Sequence, residues 1–255
     1  MLSDPAIPPV AAISDSPLAK LPMRRPVDRY AYVRSLCLGK RVLDLGAYDE
    51  TEVDRDQHHS WRWLHAEIAG VASEVLGVDA AEAVREAGSV RTHLGTTIVY
   101  GVVEELDQIA AEFKPEVVVA GELIEHTPDT LGWVRGLATV LPGTRFVATT
   151  PNTTSLINVG LAMLHRENAH PDHIQVYSYR TLATLMSRVP LVRMAITPYY
   201  YNRHLFYARL PSWARPAVTA ADVALLRPAQ WLFPLLSMGL VVDGYLGAPP
   251  LVREG

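Results

Sequence analysis

Two short apolar runs that each end in an acid constrain this chain more than any other feature: Arg41-Val-Leu-Asp-Leu-Gly46 and Val75-Leu-Gly-Val-Asp79. A helix-sized stretch separates them. A buried parallel strand reads as a continuous apolar run, and the crossover to its parallel neighbour takes a dozen or more residues. The pair therefore predicts the first βαβ unit of an open, doubly wound sheet. Ligands of such sheets bind outside the carboxyl ends of the strands, where Asp44, Gly46 and Asp79 fall. An acid at the end of the second strand is placed to accept hydrogen bonds from ribose hydroxyls, and it disfavours a 2′-phosphate. The implied ligand contains adenosine.

The rest of the chain continues the alternation. Val27, Tyr30, Val33 and Leu36/Cys37 recur at helical spacing before Gly39, and Trp61, Leu64, Ile68 and Ala72 mark a second helix. A short helix over 80–87 ends at Gly88, and the β-branched stretch 97–103 makes a third strand. A helix over 106–113 is stopped by Pro115, and Val117-Val-Val-Ala120 is a fourth buried strand. Thr127-Pro128-Asp129 reads as N-cap, N1 proline and first-turn acid of a helix whose apolar face carries Leu131, Val134, Leu137 and Leu141. Pro142-Gly143 turns into a fifth strand over 145–150. Helices over 155–164 and 179–188, a strand over 191–197, an apolar insert over 203–238 and a last strand over 239–245 follow.

With 255 residues, 49% hydrophobic and 20% charged, the chain is globular and long enough for one full core. Residues 1–22, rich in Pro, Ala and Ser without helical period, read as a flexible arm, leaving 23–255 as a single domain. A net charge of −4 gives no electrostatic footprint for nucleic acid. Cys37 is the one cysteine, which excludes an intramolecular disulfide and a thiolate metal cluster, and its place in the helix pattern makes it a buried small hydrophobe. No signal sequence opens the chain and no run is long enough to span a bilayer, so a cytoplasmic protein is expected.

Three further segments sharpen the picture: Val103-Glu-Glu-Leu106, Val117-Val-Val-Ala-Gly-Glu-Leu-Ile-Glu-His126, and Leu141-Pro-Gly-Thr-Arg-Phe-Val-Ala-Thr-Thr-Pro-Asn152. In this order and spacing, over roughly residues 26–200, the chain resembles the class I S-adenosylmethionine-dependent methyltransferases. The Glu125-His126 pair, the Pro-Gly turn and Thr150-Pro151-Asn152 are similar to the subgroup acting on small molecules. The resemblance implies an α/β, Rossmann-like, doubly wound sheet of seven strands, mostly parallel with the last antiparallel, and helices on both faces. It implies S-adenosyl-L-methionine as cofactor, with Asp44 and Gly46 by its methionine part, Asp79 on the ribose hydroxyls and Ala80 beside the adenine. Val103 and Glu104 would approach the adenine edge, and Gly121 and Glu122 would lie beneath the sulfonium. Ala47 and Tyr48 stand where the family usually carries glycine, in a long acidic first loop. That loop either closes over the cofactor and offers a carboxylate to its ammonium, or is merely solvated.

The implied function is methyl transfer to oxygen or nitrogen of a small molecule, a sugar intermediate or specialised metabolite. The alternative is a methyltransferase-like fold without methyl transfer, serving as an interaction module or using the cofactor site for other chemistry. Candidate bases are His126, His170 and His173, with Tyr177 as an orienting group. His126, directly before the Thr127 cap, is in such a position more often a structural hydrogen-bonder than a base, and His65 reads as a satisfied core histidine. Asp54, Asp56, His58 and His59 fit no established ligand spacing, so no metal site is expected. Tyr199, Tyr200 and Tyr201 either line an aromatic acceptor pocket or alternate on a sheet edge. The 203–238 insert, with Trp213, Trp231 and Phe233 among arginines, suits a lid, a homodimer contact or a membrane-surface helix.

Overall fold

The computed structural model describes Ser16 and residues 18–49, 63–103, 106–200 and 211–247. Helix α1 (Arg29–Cys37) starts at Asp28, whose side chain accepts the Ala31 N–H at 2.9 Å, and leads into β1 (Arg41–Leu45). Then come α2 (Leu64–Ala69), β2 (Glu74–Asp79), α3 (Glu82–Ala87), β3 (Ser89–Arg91), β4 (Thr97–Tyr100) and α4 (Asp107–Phe113). The second half runs β5 (Val117–Gly121), α5 (Thr130–Val140), β6 (Arg145–Pro151), α6 (Leu156–Ala162), α7 (Tyr179–Met186), β7 (Leu191–Tyr199), α8 (Arg215–Ala221), α9 (Arg227–Leu232) and β8 (Gly239–Leu246).

The eight described strands form one sheet in the order β3-β4-β2-β1-β5-β6-β8-β7. β4, β2, β1, β5 and β6 are parallel, and β8 pairs antiparallel with both β6 and β7. The doubly wound sheet with a reversed last strand is therefore present. Its additional eighth strand is β3, a three-residue edge strand antiparallel to β4. Strand order reverses on either side of β1, so the crevice beyond the carboxyl ends of β1 and β5 is the topological switch point where such sheets take their ligands.

Alternation along the strands sends successive side chains to opposite faces. Val42, Val117, Val119, Val147 and Val241 pack on Val33 and Cys37 of α1 and Ile68 of α2. Leu43, Leu45, Val118, Ala120, Phe146 and Ala148 pack on Val134 and Leu137 of α5 and Leu182 and Met186 of α7. Each such fully buried side chain stabilises the fold by roughly 1.5–3 kcal/mol. Cys37 is fully buried, as its helical pattern predicts.

Two local expectations are corrected. The cap of α5 is Asp129, whose Oδ1 accepts the Gly132 N–H at 2.8 Å, not Thr127. The Thr127 hydroxyl instead donates to the Leu123 carbonyl at 3.1 Å and closes the turn after β5. Tyr199 ends the edge strand β7 and is buried rather than lining an open pocket, while Tyr200 lies beneath the Arg227 guanidinium, 5.2 Å from its ring centre. Tyr201 lies outside the described residues.

Within the insert, α8, a π turn (Asp222–Leu226) and α9 follow without a break. The Arg227 N–H reaches back to the Asp222 carbonyl, widening the helix just before Pro228, which has no N–H to give. At the other end, residues 18–22 are neither helix nor strand, yet Leu21 packs on the core and the Pro22 carbonyl accepts the Tyr179 hydroxyl at 3.2 Å. No helix among the described residues is long and apolar enough to cross a membrane.

Candidate active site

Gly46 turns the chain out of β1 at φ +70°, a left-handed conformation that a side chain would strain, and its N–H donates to the Val78 carbonyl at 2.9 Å. The loop then passes the end of β2. There the Asp79 carboxylate accepts the Tyr48 N–H at 2.9 Å on one oxygen and the Ala81 N–H at 2.8 Å on the other. Burial pushes the Asp79 pKa up, and these backbone donors offset part of that rise. A carboxylate has about four lone-pair sites, so each oxygen keeps capacity for a further donor.

Gly46, Asp79, Ala80, Val103, Leu123 and His126 line one cleft of about 280 Å³ at the switch point. Its apolar walls and single half-buried acid fit an adenosine: a flat base against aliphatic side chains, ribose hydroxyls on a carboxylate.

Other expected residues lie around this cleft rather than in it. Asp44 is buried, and its carboxylate meets His65 Nδ1 at 2.9 Å; His65 Nε2 reaches Thr96 Oγ1 at 2.8 Å, so His65 is the satisfied core histidine its helix face predicts. Ala47 is buried, and its carbonyl accepts Trp63 Nε1 at 2.9 Å. Gly121 faces Leu64 and Arg29. Glu122, at φ +55°, turns its Oε1 to the Tyr199 hydroxyl and the Thr149 hydroxyl, both at 2.9 Å, with Arg29 Nη2 at 3.7 Å. Glu104, the acidic loop over 50–59, His58 and His59 lie outside the described residues.

The three candidate bases come together. The ring of His126 lies 4.6 Å from that of His173, edge to face, and 6.3 Å from that of His170; His170 and His173 are 5.8 Å apart. His126 is on the exit of β5, the other two on the segment between β6 and α7. Main-chain bonds join these elements: the Ile174 and Gln175 N–H groups both donate to the Glu125 carbonyl at 3.1 Å. Tyr177 assists from below, donating to Gln175 Oε1 at 2.5 Å and to the Ile124 carbonyl at 3.3 Å. Burial, then the neighbouring His126 and His170, lowers the His173 pKa, so its imidazole is neutral at pH 7.

One site residue is not legible as such in the sequence. Glu125 is 1% exposed, and neither carboxylate oxygen has a partner in hydrogen-bonding geometry. Burial, followed by the charge of Glu122, pushes its pKa up to about 8, and the nearby Thr150 hydroxyl offsets only part of this. The available signal was an acid inside the apolar run Leu123-Ile-Glu-His126, three residues after another acid.

A doubly wound, mostly parallel sheet with an acid at the end of β2 beside its switch point is a frame of the nucleotide-binding type. Residues 19–191 match the family model described as a methyltransferase domain. The chain belongs to that family, in the class I S-adenosylmethionine-dependent methyltransferases, and S-adenosylmethionine is its cofactor. Among solved structures, the methyltransferase domain of the bacterial protein CtHen1-C aligns with a TM-score of 0.52 at 14% identity, covering 86% of this chain and 95% of that one. A methyltransferase from Thermotoga maritima, described as a possible histamine N-methyltransferase, gives 0.52 at 12% identity over 85% and 86%. At these identities the likeness is one of fold. Comparison with curated protein sequences gives no match.

Proposed function

We propose that this methyltransferase acts on oxygen or nitrogen of a small molecule, with the acceptor seated at His126, His170 and His173. The observation that carries the proposal is that His126 belongs both to the wall of the Asp79 cleft and to the histidine cluster. The cofactor supplies a methyl group already activated on a sulfonium, so the chain's task is alignment and proton removal. Asp79 would hold the ribose hydroxyls, with Ala80 and Val103 against the adenine and Gly46 by the methionine part. An imidazole of the cluster takes the proton that an alcohol, phenol or ammonium acceptor must lose, and a neutral His173 is competent to do so at pH 7. The net charge of −4 offers no attraction to a polyanionic acceptor, which favours a small one.

The test is calorimetric titration with S-adenosylhomocysteine, then a screen of hydroxyl and amine acceptors for its release from S-adenosylmethionine. Saturable binding and turnover with an O- or N-acceptor, lowered by His170→Ala or His173→Ala, is the expected result. Turnover only with carbon acceptors, or full activity in both variants, would overturn the assignment.

A further inference from the structure

We propose that Glu125, His126 and His173 form a binding site for a divalent transition-metal ion beside the cofactor cleft. One donor atom from each lies within 4.8 Å of the others. Three donors bound tetrahedrally to a common ion at about 2.1 Å stand roughly 3.4 Å apart, so closure needs side-chain shifts of at most about 1.5 Å.

Three further observations support a cation. The first is the orphaned Glu125 carboxylate. A buried charge without a partner is costly, and protonation would remove the charge yet still leave an O–H and a carbonyl unpaired. An ion supplies the missing partner to both oxygens and offsets the repulsion from Glu122. The second is preorganisation: the bonds from Ile174 and Gln175 to the Glu125 carbonyl hold the segment bearing His173 against the turn that bears the other two ligands. The third is space. A cavity of about 30 Å³ lined by Glu125 and His173, but not by His126, leaves room for a water on one side of the ion, and His126 faces the Asp79 cleft on the other.

Two imidazoles with one carboxylate suit zinc, manganese or iron(II) rather than the all-oxygen preference of magnesium and calcium. The site departs from the sequence expectation of no metal because its ligands are 48 residues apart and meet only through the fold. Its role rests on the methyltransferase reading above: an ion held here would polarise an acceptor hydroxyl, and with His126 and His173 engaged as ligands the proton would pass to His170 in place of His173.

The test uses untagged, chelator-stripped full-length protein, titrated separately with zinc and manganese chloride by calorimetry. S-adenosylhomocysteine affinity is measured on the same samples. One ion per chain at micromolar affinity or tighter is expected, weakened about ten-fold or more by Glu125→Gln and by His173→Ala, and unchanged by His165→Ala on the exposed surface. The ion should also raise the melting temperature of the wild type and not of Glu125→Gln; should that variant not fold, His173→Ala carries the comparison. Absence of saturable binding of either ion, or binding that both ligand variants retain, overturns the site. Ion binding without S-adenosylhomocysteine binding would instead count against the function proposed above and leave the metal site standing.

Discussion

The Asp79 carboxylate accepts the Tyr48 backbone N–H at 2.9 Å, so the acid that ends β2 also fixes the chain leaving β1. The proposed ribose contact and the geometry of the first loop therefore meet at one side chain. Asp79→Ala deprives the Tyr48 and Ala81 N–H groups of their acceptor. It should lower the unfolding free energy by about 1–3 kcal/mol and weaken S-adenosylhomocysteine binding at least ~10-fold. Urea unfolding and calorimetry on the same preparation check both. Normal affinity in this variant would remove Asp79 from the ribose site.

His65 is the partner of a buried acid, and its loss should be felt in stability before anything else. His65→Ala strips the buried Asp44 carboxylate of its imidazole partner and takes a partner from Thr96. The expected cost is about 3–5 kcal/mol, read from urea midpoints. A loss below about 1 kcal/mol would mean that Asp44 finds water or another donor.

A Cβ added at Gly239 would lie 1.9 Å from Cζ of Tyr199. Gly239→Ala must displace the ring that donates to Glu122 and should destabilise by roughly 1–3 kcal/mol. In a Tyr199→Ala background the clash is gone, so the same change should cost measurably less. Equal costs in the two backgrounds would show that the strand moves instead of the ring.

Alkaline stability follows from the tyrosines. Burial, then Asp243, pushes Tyr32 up to about 12, and burial also raises Tyr177, Tyr179 and Tyr199. A phenol with a raised folded-state pKa keeps its proton longer in the native state than in the unfolded one. Its stabilisation is complete below the unfolded value near 10 and is lost as pH rises from there through the folded pKa. Unfolding midpoints should therefore fall between about pH 10 and pH 12, and less steeply in Tyr32→Phe. Tyrosinate absorbance of these residues should appear together with unfolding, not before it.

Cys37 gives a simple check of the packing between α1 and the sheet. Burial, then Asp44, pushes its thiol up to about 12, so at about pH 8 it is protonated as well as enclosed. A thiol reagent should label nothing in the native chain and one group per chain in denaturant. Rapid native labelling would show that α1 opens.

The sequence was most legible where burial is uniform. β1 and β5 lie almost wholly covered on both faces, and these strands read as near-continuous apolar runs along the chain. The position of Asp79 at the end of β2 was legible in the same way. β3 was missed because a three-residue edge strand needs no apolar pattern. The cap of α5 was misplaced by two residues because Thr127 and Asp129 are equally good caps in isolation; the carbonyl of Leu123, claimed by Thr127, decides between them. The partners of Glu122 and the isolation of Glu125 depend on Arg29, Thr149, Thr150 and Tyr199, contributed by distant segments, and no spacing rule reaches that far.

The two main-chain bonds to the Glu125 carbonyl have a consequence for how such a protein diversifies. With the bond from the Thr153 N–H to the Tyr177 carbonyl at 2.9 Å, they close the segment between β6 and α7 at its base using backbone atoms alone. Any residue except proline at 153, 174 and 175 can make those bonds. The intervening stretch, α6 included, is thus an exchangeable cassette: mutation can rewrite it for a new chemical partner while the cofactor cleft across the crest of the sheet is inherited unchanged.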